Sequence, residues 1–157
     1  IVDWGFSMAV FQGNLYIGCM DDLGVDALIL RRTPAGVYST VDTQTSTDES
    51  DYYTGLTVYS GALYAHYYGV ANGPWNIRRS TDGTTWATDL DLNATFTITT
   101  KQTGGTLVHN GDLYWVLISG SSDVSTTNRI LRRSGGTWTS VYTGNVTGPI
   151  GVIEVEE

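Results

Sequence analysis

Short apolar runs recur along the chain in a fixed order. "MAVF", "GLTVY" and "GTLVH" each lead into a small polar turn, "QGN", "SGA" or "NGD", and each turn opens a segment reading G-x-L-Y. The glycines of these segments are Gly13, Gly61 and Gly111, spaced 48 and 50 residues apart. Further on, an arginine pair closes another apolar run, in "LILRR", "NIRR" and "RILRR", and an aromatic follows at Tyr38, Trp86 and Trp138. A repeated order of this kind is the mark of stacked supersecondary units. Each unit reads as four short strands, with glycine supplying the positive φ that a tight hairpin turn requires. The units are expected over residues 4–42, 53–92 and 104–143, with a further inner strand at 148–155.

The second strand of each unit, as in "LYWVLI" from Leu113 to Ile118, is apolar at consecutive positions instead of alternating. Such a strand needs cover on both faces, which stacked sheets provide. The fold class expected is therefore all-β, of β-propeller type with four-stranded blades. The alternative is a β-trefoil, because three four-stranded repeats of this total length close without a partner. Three blades fall short of the ~4–8 that ordinarily close a propeller, so a homo-oligomer or a place in a larger assembly is expected.

The string "SMAVFQGNLYIG" and the pair "IRRSTDGTTW" and "ILRRSGGTW" resemble blades of kelch-like and Asp-box (sialidase-type) propellers. Ser80, Asp82, Gly83 and Trp86 resemble the motif S-x-D-x-G-x-x-W, with one residue fewer between the aspartate and the glycine. The third repeat keeps Ser134 and Trp138 without the aspartate, and the first keeps Gly36 with Tyr38 in place of tryptophan. In such a turn Asp82 would accept hydrogen bonds from backbone amides while Trp86 packs on the blade, a structural role and not a catalytic one.

Composition narrows the partners. Charged residues are 15% of the chain and the formal net charge is −8, which disfavours nucleic acid and anionic membranes. No apolar run reaches the ~18–20 residues of a membrane span, so no membrane insertion is expected. Cys19 is the single cysteine, which excludes an internal disulfide, and its apolar surroundings suggest a small core residue.

Candidate chemistry is sparse. Six of eight basic residues lie in the arginine pairs, but neighbours on a strand point to opposite faces, so a pair cannot form one anion-binding fork. Asp89, Asp91 and Asn93 would place three oxygen donors on one strand face, without the remaining features of a calcium loop. His66 and His109 lack a second ligand at metal spacing. No catalytic residue, cofactor or metal is assigned.

The longest connections carry aromatics beside Asp and Asn, a composition suited to sugar rings. Ligand contacts are expected on one rim from Asp21, Asp22, Asp51, Tyr52, Tyr53, Asn72, Trp75 and Asp123. These features point to a non-catalytic binding or attachment module of an extracellular, cell-surface or virion-surface protein, recognising a glycan or a protein surface. The alternatives are a sialidase-like glycoside hydrolase and a purely structural assembly subunit.

Overall fold

Each repeat folds into an antiparallel four-stranded sheet of its own, with its strands side by side in chain order. A computed structural model describes residues 2–21, 26–45, 51–69, 75–95, 102–118 and 128–144; the strand expected at 148–155 lies outside them. Sheet 1 holds β1 (Val2–Phe11), β2 (Asn14–Asp21), β3 (Asp26–Arg32) and β4 (Tyr38–Thr45). Sheet 2 holds β5 (Tyr52–Tyr59), β6 (Ala62–Tyr68), β7 (Asn76–Ser80) and β8 (Ala87–Asp91), followed by a single helical turn, α1 (Leu92–Thr95). Sheet 3 holds β9 (Gln102–His109), β10 (Asp112–Ile118), β11 (Asn128–Ser134) and β12 (Thr137–Gly144). Sheets 1 and 2 form one compact unit, residues 1–96, and sheet 3 belongs to a second, residues 97–157. No helix among the described residues is long and apolar enough to cross a membrane.

The first hairpin of each sheet turns through two residues with positive φ: Gln12 and Gly13, Ser60 and Gly61, Asn110 and Gly111. That is the geometry whose twist matches the flanking strands. Each sheet also carries a bulge in its first strand, and another in its fourth strand opposite the step Ile29/Leu30, Ile77/Arg78 or Ile130/Leu131. Bulges are specific local features, and those of the fourth strands, which recur opposite the same step, align the three repeats.

The alignment corrects one feature of the repeat. Tyr16, Tyr64 and Tyr114 stand opposite Arg31, Arg79 and Arg132. The repeated element is thus a cross-strand Tyr–Arg pair, and the arginine doublet of repeat 2 is displaced by one position. Arg78 occupies the place held by Leu30 and Leu131, while Ser80 occupies that of Arg32 and Arg133.

Every sheet has a front face bearing that tyrosine and a back face bearing the leucine before it. The front of sheet 1 packs on the back of sheet 2. Phe11, Tyr16, Ala27 and Ile29 meet Tyr53, Leu56, Leu63, Ala65 and Tyr67, with Ala9, Val41 and Trp86 at the margin. Burying each large apolar side chain here contributes roughly 1.5–3 kcal/mol. β6 is buried at every position from Ala62 to Tyr67, as its doubly apolar pattern requires. Cys19 is also wholly buried, and burial pushes its thiol up to about 11.

Two glycines set how closely the sheets approach. A Cβ on Gly18 would lie 2.8 Å from the Tyr53 carbonyl oxygen and 2.6 Å from a Leu56 methyl. Gly83, at φ +74°, lies against the Tyr16 hydroxyl. Gly83 belongs to a turn organised by Asp82, whose Oδ1 accepts from the amides of Thr84 and Thr85, each at 2.7 Å, and from Ser80 Oγ at 3.1 Å. Those amides hold the Asp82 carboxyl well below its usual range. Gln12, in the first hairpin turn, donates to the Thr81 carbonyl at 3.1 Å and ties this turn to sheet 1.

The expected row of oxygen donors along one strand is not formed. β8 ends at Asp91, whose Oδ1 accepts from the amides of Asn93 and Ala94 at 2.9 and 3.0 Å and caps α1. Asn93 is therefore helical, because the aspartate satisfies the helix start in preference to continuing the strand.

In the second unit, Leu113, Trp115, Leu117 and Leu131 are buried. Trp115 meets Trp138 edge-on at 6.3 Å, and Arg132 lies 3.9 Å from Asp112.

Candidate functional site

The densest polar constellation among the described residues lies where the front of sheet 1 meets the back of sheet 2. Asp42 leaves β4 beside the bulge opposite Ile29, and its carboxylate is spent on the neighbouring sheet. Oδ1 accepts from Arg78 Nη2 at 3.1 Å, and Oδ2 accepts from the Tyr53 hydroxyl. The same Arg78 nitrogen also reaches the Trp86 carbonyl at 3.4 Å. The Asp42 and Arg78 side chains are only 12% and 13% exposed, a burial at which a charge needs both a partner and hydrogen bonds.

A second carboxylate extends the network. Asp51 is fully buried and accepts from the Tyr67 hydroxyl. The Tyr53 and Tyr67 rings lie 5.6 Å apart at 48°. Both phenols are pushed well above their ordinary value, first by burial and then by the carboxylates beside them, Asp42 for Tyr53 and Asp51 for Tyr67. They therefore remain protonated donors at neutral pH. The network can hold two sheets in register, and its phenols offer no readily lost proton.

The second arginine of the same doublet turns the other way. Arg79 Nε donates to the Tyr64 hydroxyl at 3.1 Å, with its guanidinium 6.0 Å from that ring's centroid, on the front of sheet 2. Arg32 likewise lies 5.7 Å from the Tyr38 ring. The doublets thus serve opposite faces.

Four of the residues expected at a ligand rim have described side chains: Asp51, Tyr52, Tyr53 and Trp75. Asp51 and Tyr53 are wholly buried in the network, and Tyr52 is partly buried, stacked on Tyr68 at 4.7 Å. Burial pushes the Tyr52 phenol up to about 12. Trp75 is 7% exposed, its indole donating to the Gly69 carbonyl at 2.5 Å while its own carbonyl accepts from the Leu92 amide. The Tyr53 and Trp75 rings are thus packed inside the fold, where rings of this size stabilise it most. Trp75→Ala is expected to cost about 3–5 kcal/mol, read as a lower urea midpoint. Asp22, Asn72 and Asp123 lie outside the described residues, as does the side chain of Asp21.

Sequence reasoning did not single out Asp42, Arg78 or Tyr67 as one group. The signal was present in the comparison of repeats: Arg78 breaks a position otherwise held by leucine, and Asp42 stands where the other repeats have Leu90 and Tyr142.

His66, on the front of sheet 2, is fully buried, which lowers its pKa to about 3. An unfolded histidine takes a proton near pH 6.5, so below that value the unfolded state binds more protons than the folded one. Stability contributed by the neutral imidazole is complete above pH 6.5. It is lost as pH falls towards 3, by up to about 1.4 kcal/mol per unit. His66→Gln is expected to flatten the dependence of unfolding free energy on pH between 6.5 and 4.5. An unchanged slope would place the acid sensitivity elsewhere.

Known protein-family models include none that matches this chain, and a search of curated proteins finds no match either.

Proposed function

We propose that the chain is a non-catalytic binding or attachment module built from propeller-type blades, displayed on a cell or virion surface and recognising a glycan or a protein surface. The observation that supports this reading is the use made of its polar groups. The Asp42 carboxylate has both oxygens engaged by Tyr53 and Arg78 of the adjoining sheet, and Asp51 accepts from Tyr67 within that sheet's own repeat. Residues able to do acid–base or anion-binding chemistry thus serve as fasteners. The chain acts as a scaffold, and recognition falls to its connecting segments.

A glycan array and a panel of chromogenic glycosides test the reading together. Retention on glycans without turnover is the expected result. Turnover of any glycoside would overturn the proposal in favour of a hydrolase. Silence in both assays would leave the structural-subunit alternative.

A further inference from the structure

Within residues 1–96 the packing is head to tail, with the Tyr-bearing front of sheet 1 against the Leu-bearing back of sheet 2. The two faces in contact are unlike, and the back of sheet 1 and the front of sheet 2 take no part in this contact. Heterologous contacts of this type propagate into rings or filaments. The back of sheet 1 is open along β1, where Met8 is 67% exposed and Val10 68%, while Cys19 on the same face is buried. Counted back from the hairpin turn, Met8 corresponds to Leu56, which is 6% exposed because the front of sheet 1 covers it.

The repeat alignment indicates which front this back face can accept. At the existing contact, the front position of Asp42 faces the back position of Arg78. The corresponding front positions hold Leu90 in sheet 2 and Tyr142 in sheet 3, and the corresponding back position in sheet 1 holds Leu30. A front carrying aspartate set against Leu30 would bury a carboxylate with no cation, a large cost. That excludes sheet 1 stacking on a copy of itself. The front of sheet 2 is already closed, with Tyr64 1% exposed and His66 and Ile77 fully buried. The front of sheet 3 is open: Tyr142 is 45% exposed and Leu107, the counterpart of Ala9 at the margin of the core, is 38% exposed, on the face that also bears the Arg132–Asp112 pair.

We infer that the back of sheet 1 is an interface that takes the front of sheet 3 from a second copy of this chain, with Leu30 set against Tyr142 in place of the Arg78–Asp42 pair. Each copy carries one face of each kind, so two copies can satisfy one another with two such contacts. The inference rests on the faces alone and holds whatever the module binds.

Sedimentation velocity of the full chain at micromolar concentration tests it. The expected particle has about twice the 17.0 kDa chain mass. Met8→Glu and Leu107→Glu are each expected to sediment as monomers, with association weakened at least ~100-fold by a carboxylate in the contact. Mixed together they should form a one-to-one pair, since each retains the face the other lacks. Unchanged circular dichroism and urea midpoints establish that the variants fold, and Met8→Lys and Leu107→Lys replace any that do not. A wild-type chain that stays at 17.0 kDa throughout overturns the inference. So does a Leu107→Glu chain that associates like wild type, which would mean back-to-back pairing, or a mixture that remains monomeric.

Discussion

Arg78→Leu is expected to lower the unfolding free energy by about 3–5 kcal/mol, the usual consequence of removing one member of a buried ion pair. Packing is not the reason, because Leu30 and Leu131 occupy the same position in the other sheets. The cost arises from the Asp42 carboxylate, which is 12% exposed and would keep, among the described residues, the Tyr53 hydroxyl alone as a side-chain partner. Removing the whole polar set should reverse the effect. The triple variant Arg78→Leu, Asp42→Leu, Tyr53→Phe is expected to match or exceed wild-type stability, since apolar replacement of a buried pair is often neutral or stabilising. Urea denaturation of the single and triple variants separates the two effects. If Arg78→Leu cost less than about 1 kcal/mol, the pair would be no more than a solvated surface contact.

Gly83→Ala is expected to cost about 2–5 kcal/mol, for two separable reasons. The backbone at φ +74° disfavours an L side chain by about 1–2 kcal/mol. The new methyl would also be driven into the Tyr16 ring, overpacking worth about 1–3 kcal/mol. Gly13→Ala isolates the first contribution, because φ there is +75° and nothing lies within 4 Å. Adding Tyr16→Phe to Gly83→Ala removes the atom nearest the methyl and should recover part of the loss. If Gly83→Ala were no worse than Gly13→Ala in urea, the turn would not be clamped against sheet 1.

Repeat structure was legible in the sequence because its causes are local. A two-residue turn with glycine at its second place needs only neighbouring atoms to form, so Gly13, Gly61 and Gly111 mark three hairpins directly. Asp82 accepting turn amides is equally local, as is the alternation of faces that sends Arg78 and Arg79 in opposite directions. Four strands per repeat follow from those turns, and the demand of β6 for cover on both sides follows from its consecutive apolar residues Ala62, Leu63, Tyr64 and Ala65.

Tertiary structure decided which polar groups meet. Asp42 and Arg78 are 36 residues apart, and nothing near either reveals that a bulge in β4 aims one at the other across a sheet contact. The bulges also set the true register. They show that the arginine doublet of repeat 2 is offset by one, a shift invisible in a string where both residues are arginine. Burial of Tyr53, Trp75 and Asp51 was likewise hidden, since an aromatic near a connecting segment looks the same in sequence whether it faces solvent or the neighbouring sheet. Local sequence dictated the four-stranded sheets; which faces meet, and the Arg78–Asp42 salt bridge between them, depend on long-range geometry that the chain encodes only through the fold itself.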